Sequence, residues 1–133
     1  MISAKLKWTE QTRFEGTASS GHMVITDADS KVGNSPMEPL LIALCGCTAT
    51  DVVTILRKKR EPFTAVEVSA EAEKAPDPPR VYTAIRLSYR VSGKVSRKSV
   101  EDAVRLSEEK YCSVGAMLNK TAKITHHIEL DSP

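Results

Sequence analysis

At 133 residues, with 41% hydrophobic and 27% charged residues, the chain has the size and balance of a single folded domain spanning 1–133. A net charge of +2, few aromatics and basic residues scattered outside Arg57-Lys58-Lys59-Arg60 exclude a nucleic-acid face, which needs a broad basic surface with stacking rings. Three cysteines argue against a secreted disulfide framework, and Met1-Ile2-Ser3-Ala4-Lys5 lacks the features of a signal peptide, so a reducing cytoplasm is the default.

The elements follow in order. Residues 2–9 alternate Ile2, Ala4, Leu6 and Trp8 against Ser3, Lys5, Lys7 and Thr9, a strand with one apolar face. Residues 12–18 and 22–27 read as two further short strands about a Ser19-Ser20-Gly21 turn. Residues 27–34 are polar and turn-rich, hence a loop. A helix begins at Ser35, with Ser35 as N-cap, Pro36 at the first helical position and Glu38 as the capping-box acid. It runs to about Arg60, where four cations suit the carbonyl end.

Residues 64–72 and 80–92 alternate as a hairpin around Lys74-Ala75-Pro76-Asp77-Pro78-Pro79. Ser96 can cap a second helix with Val100, Ala103, Val104, Ser107 and Tyr111 along one side, and a short third helix starts near Cys112. Residues 121–130 return as the last strand. Strands and helices do not alternate regularly, so the class is α+β with antiparallel sheets.

The first helix has no polar face over Leu40–Cys47. A membrane span would bury Asp51 at about 2.5–3.5 kcal/mol, and Thr48, Thr50 and Thr54 weaken it further. A buried helix is the better reading, and one small domain can hardly cover it, which points to a dimer.

The chemistry rests on cysteines. Cys47 lies in Cys45-Gly46-Cys47-Thr48-Ala49-Thr50-Asp51, and Cys112 lies in Glu109-Lys110-Tyr111-Cys112-Ser113. If the fold joins them, one thiol can attack an oxidant and the other can resolve the sulfenic acid; otherwise both are small core residues. Cys47 needs a cation to ionise, because burial and Asp51 both oppose the thiolate. Arg13 is the candidate within the chain. Cys112, at a helix start, is expected to have a lowered pKa. Cys45 reads as packing. His22 orders a loop, while one of His126 and His127 faces the core and the other is solvated. No cofactor is implied, and no residue spacing makes a metal site.

Ser35-Pro36-Met37-Glu38, Cys47-Thr48, Asp51-Val52-Val53 and Glu109-Lys110-Tyr111-Cys112-Ser113 together resemble the OsmC/Ohr family, and within it the YhfA-type branch. The likeness extends from Trp8 through Ser20-Gly21-His22 to Ile124-Thr125-His126. It implies an intertwined homodimer, with sheets from both chains wrapped around central helices. It also implies thiol-dependent reduction of organic hydroperoxides in oxidative-stress defence, at sites on the dimer interface. Cys47 would attack the peroxide, Cys112 would resolve, and a dithiol such as a lipoylated protein would reduce the disulfide.

The chain departs from that pattern in three places. Family members pair an N-terminal Arg with a Glu to activate the first thiol; the Glu position is Met37 here, leaving Arg13 and Glu38 as the activating candidates. Ser113 stands where Pro often follows the second cysteine. Two other readings stay open: a non-catalytic relative holding an apolar ligand at the interface, and a redox sensor.

Overall fold

Alternating side chains open the chain as strands β1 (Ala4–Glu10), β2 (Arg13–Ala18) and β3 (Met23–Asp27). The computed structural model, which describes residues 1–131, places them in one antiparallel sheet in the order β1-β2-β3. The chain forms two compact units, Met1–Leu41 and Ile42–Pro133. In the first, Trp8 stands opposite Phe14 and Leu6 opposite Gly16. The Trp8 indole N–H donates to the Gln11 carbonyl at 2.8 Å, fixing the β1–β2 turn. The apolar face of β1 stays open in the single chain, with Leu6 at 55% and Trp8 at 61% exposure.

Asp27 organises the loop after β3. Its buried carboxylate accepts the N–H groups of Asp29, Lys31 and Val32 and the Thr12 hydroxyl. The Asp29 bond is the largest cause holding its pKa down at about 2. Glu38 caps as the sequence predicts: the Ser35 N–H and hydroxyl donate to it at 2.8 and 3.0 Å. Pro36-Met37 forms a turn, so helix α1 spans Glu38–Lys58 rather than starting directly after Ser35. At its far end Arg60 takes a left-handed φ of 59° and the Glu61 N–H reaches back to the Leu56 carbonyl, which closes the helix.

In the second unit α1 buries one stripe, Leu44, Thr48, Val52 and Leu56, at four-residue spacing. The hairpin is β4 (Phe63–Lys74) and β5 (Tyr82–Gly93), antiparallel, with Ile85, Leu87, Tyr89 and Val91 on the buried face of β5. Gly93, at φ +113, has the Pro62 carbonyl 2.6 Å from where a Cβ would stand, so only glycine closes this strand. Helix α2 (Arg97–Leu106) starts on Ser96, whose hydroxyl accepts the Ser99 N–H at 3.0 Å, and it buries Val100, Ala103 and Val104. A π-helical turn over Ser107–Tyr111 follows, then α3 (Ser113–Leu118) and β6 (Lys123–Asp131).

β6 pairs with β5 in parallel, giving the order β4-β5-β6. The α+β class holds, but the expectation of antiparallel pairing throughout fails at this pair. The crossover through α2, the π turn and α3 carries the chain back to the end where β5 began, so β6 enters in the same direction.

α1 is long and apolar enough to cross a bilayer by length and composition. Its buried Thr48 is nevertheless hydrogen-bonded to β5 and to the π turn, the contacts of a core helix.

Candidate functional site

Cys47 and Cys112 are brought together by α1 and by the junction of the π turn with α3. Cys47 is half-buried on α1, while Cys112 is buried at 6% exposure and is the N-cap of α3. Their side chains are hydrogen-bonding neighbours. The π turn sets this up: the Cys112 N–H bonds to the carbonyl of Ser107, five residues back, before α3 begins. The Gly115 N–H then donates to Cys112 Sγ at 3.3 Å. A Cβ on Gly115 would itself lie 3.3 Å from that sulfur, so glycine allows the close approach.

The electrostatics of Cys112 reverse the expectation. Its pKa is pushed up to about 11, chiefly by burial, with further rises from the Cys47 thiol and Asp51. The Gly115 N–H works in the opposite direction and loses. A six-residue helix offers little dipole against the cost of a thiolate in an apolar wall. Burial also raises Cys45, consistent with a packing thiol.

Behind the thiols runs a polar chain that the sequence did not disclose. Tyr89 Oη lies 2.8 Å from Thr48 Oγ1, Thr48 Oγ1 lies 2.8 Å from Ser107 Oγ, and Ser107 donates to Asp51 Oδ2 at 2.8 Å. Asp51 as a carboxylate only accepts, which commits the single proton of Ser107. Thr48 therefore donates to Ser107 and accepts from Tyr89. Thr48, Tyr89 and Ser107 are all buried. Beside them, Glu108 and His126 pair at 2.9 Å, and the His126 ring meets Tyr89 edge-on at 6.1 Å between centroids. Burial raises the pKa of Glu108, against the opposing pull of His126.

A cavity of about 220 Å³ opens onto this cluster, lined by Leu44, Leu87 and Ile124 on its apolar side and by Thr48, Tyr89, Glu108, Asn119 and Cys112 on the other. The thiol in its wall is Cys112. No group of three or more His, Cys, Asp or Glu able to hold a metal occurs among the described residues.

The other candidates lie in the first unit. Arg13 is ion-paired with Glu10 at 3.0 Å and with Asp27 at 3.4 Å. Glu38 is engaged by Ser35. His22 contacts Ser20 Oγ at 3.2 Å, a loop-ordering role as read from the sequence. Neither His126 nor His127 is buried: His126 is partly covered by Tyr89, and His127 pairs with Glu129. The expectation of one core-facing histidine is corrected, because Glu108 draws His126 to the rim of the sheet.

The thiol pair and its fold find their counterpart among known proteins. A family model described as OsmC-like protein matches residues 27–127. The chain is a member of the OsmC-like family. It is 42% identical to Protein YhfA of Escherichia coli strain K12 over 131 residues, covering 97% of this chain and 98% of that one. A hypothetical protein from Aquifex aeolicus VF5 superposes with a TM-score of 0.86 at 31% identity, covering 98% of both chains. OhrB, an organic hydroperoxide resistance protein of Bacillus subtilis, shares the fold alone, with a TM-score of 0.70 at 12% identity over 96% of this chain and 98% of that one. As an OsmC-like protein the chain therefore keeps the two-cysteine core while surrounding it with Tyr89, Ser107, Glu108 and His126. Among these, the sequence pattern marked only Ser107, as one position on the face of α2.

Proposed function

We propose that this OsmC-like protein is a thiol-dependent peroxidase that reduces organic hydroperoxides in oxidative-stress defence, working as a cytoplasmic homodimer. The observation that carries the reading is the hydrogen-bonding contact between Cys47 and Cys112, 65 residues apart in sequence (112 − 47). The Cys47 thiolate attacks the terminal oxygen of the peroxide, the O–O bond breaks, and the alkoxide leaves as an alcohol on taking a proton. Cys47 becomes a sulfenic acid. Cys112 then attacks that sulfur, water leaves, and the Cys47–Cys112 disulfide forms. A dithiol, such as that of a lipoylated protein, restores both thiols. Arg13 and Glu38 are the thiolate-activating candidates on this reading, and both already hold partners in the first unit. The exposed apolar residues Ile42, Leu40, Leu6 and Trp8 support the homodimer, since each leaves hydrocarbon in water until a second copy covers it.

One observation favours a second reading. The raised pKa of Cys112 and the cavity beside it suit a non-catalytic protein that holds an apolar ligand. Peptide mass spectrometry after stoichiometric cumene hydroperoxide separates the two. The peroxidase forms a Cys47–Cys112 disulfide in the wild type, none in Cys47→Ser, and a sulfenic or sulfinic Cys47 in Cys112→Ser. A folded protein whose Cys47 stays reduced ends the peroxidase reading.

A further inference from the structure

Three features define how a reductant can reach the site. The cavity of about 220 Å³ has Cys112 in its wall and Cys47 behind it as hydrogen-bonding neighbour. Its lining combines Leu44, Leu87 and Ile124 with one carboxylate, Glu108. It is smaller than the roughly 300–1,000 Å³ of ordinary ligand pockets, which suits a short chain rather than a bulky molecule.

We propose that this cavity admits the thiol that reduces the Cys47–Cys112 disulfide, that the sulfur attacked is Cys112, and that the cavity selects short aliphatic thiols without negative charge. This rests on the reading above that the two cysteines form a disulfide. The incoming thiolate bonds to Cys112 Sγ, the S–S bond breaks, and Cys47 leaves with the electron pair and takes a proton. The product is a mixed disulfide on Cys112. In a dithiol reductant, the second sulfur attacks the first, the mixed disulfide breaks, and Cys112 leaves and is protonated while the reductant closes as a cyclic disulfide. Two electrons pass from dithiol to protein.

Two considerations fix the direction. The lining presents Cys112 to the cavity, so in-line attack from that side meets Cys112 first. Thiol exchange also expels the better leaving group, and a sulfur whose thiolate is disfavoured by burial is a poor one. Attack on Cys47 would have to expel Cys112. Charge selection follows from Glu108 in the wall and Asp51 acting on Cys112: both repel an anionic thiol.

The experiment starts from protein oxidised with diamide, which needs no peroxidase activity. Limiting cysteamine, 2-mercaptoethanol or 2-mercaptoethanesulfonate is added, free thiols are trapped with N-ethylmaleimide, and the adduct is mapped by peptide mass spectrometry. The mixed disulfide is expected on Cys112 over Cys47 by about tenfold or more. Rates at equal thiolate concentration are expected to fall from cysteamine to the sulfonate by about fivefold, and Glu108→Gln is expected to flatten that order. Adducts mainly on Cys47, or a charge order unchanged in Glu108→Gln, overturn the proposal. So does failure of diamide to form the disulfide. If diamide forms it and hydroperoxides do not, the peroxidase reading fails alone, and the mapping still decides this one.

Discussion

Thr48 shows how much one hydroxyl can organise. It stands in the buried stripe of α1, yet it joins β5 through Tyr89 and the π turn through Ser107. Thr48→Val keeps the shape and leaves two buried hydroxyls each short of a partner. The expected cost is about 1–3 kcal/mol of unfolding free energy, read from urea denaturation. Cys112 gives a second expectation at this scale. With its pKa near 11, its thiolate fraction rises about tenfold per pH unit from pH 7 toward 10. Conversion of Cys47 sulfenic acid to the disulfide should accelerate in step, as measured by acid quench and mass spectrometry at each pH. A rate flat across that range would mean that Cys112 does not act as the resolving thiolate. Residue by residue, the two thiols and the Glu38 cap were legible because each sits in a distinctive local string. The Tyr89–Thr48–Ser107 chain was not, because its partners lie 41 and 59 positions apart and each looks like an ordinary strand or helix residue. The direction of the Cys112 shift was missed because a helix start can be read from sequence, whereas the depth of burial that outweighs it cannot.

Elements whose signals are local came through well. Period-2 runs marked β1 to β5, and Ser96 marked the start of α2. The parallel entry of β6 was hidden, since alternation tells which face a residue takes but not which way the strand runs. The loop after β3 has its own test. The carboxyl of Asp27 titrates near 2 when folded, against about 3.9 in an unfolded chain, so it contributes stability above pH 4 that is lost as pH falls toward 2. Asp27→Asn should therefore be less stable than the wild type at pH 6, with the difference shrinking as pH falls through that window, as followed by thermal melts. Equal melting temperatures at pH 6 would remove Asp27 from this role.

For the whole molecule, the decisive surface is the outer side of α1. Its inner stripe is buried, while Ile42 is 59% and Leu40 40% exposed. On the proposed homodimer this side belongs to a shared core, so a charge there is costly only in the assembled state. Ile42→Lys should leave helix content near the wild-type value but weaken association by about tenfold or more, as measured by sedimentation velocity across a dilution series. A wild-type protein that sediments as a folded monomer at micromolar concentration would end the dimer reading.

The five-residue step of the π turn has a consequence for how such a site can be gained or lost. An α-helix advances about 100° per residue, so removing one residue between Ser107 and Tyr111 would let the turn relax to ordinary spacing and swing everything beyond it by that angle. Lys110 is exposed and could be deleted without opening a hole in the core. Loss of a single codon there would take Cys112 out of phase with Cys47 while keeping every cysteine in the chain. Two relatives can therefore share the same thiols and differ in whether those thiols ever meet, and the length of this one turn is where to look first.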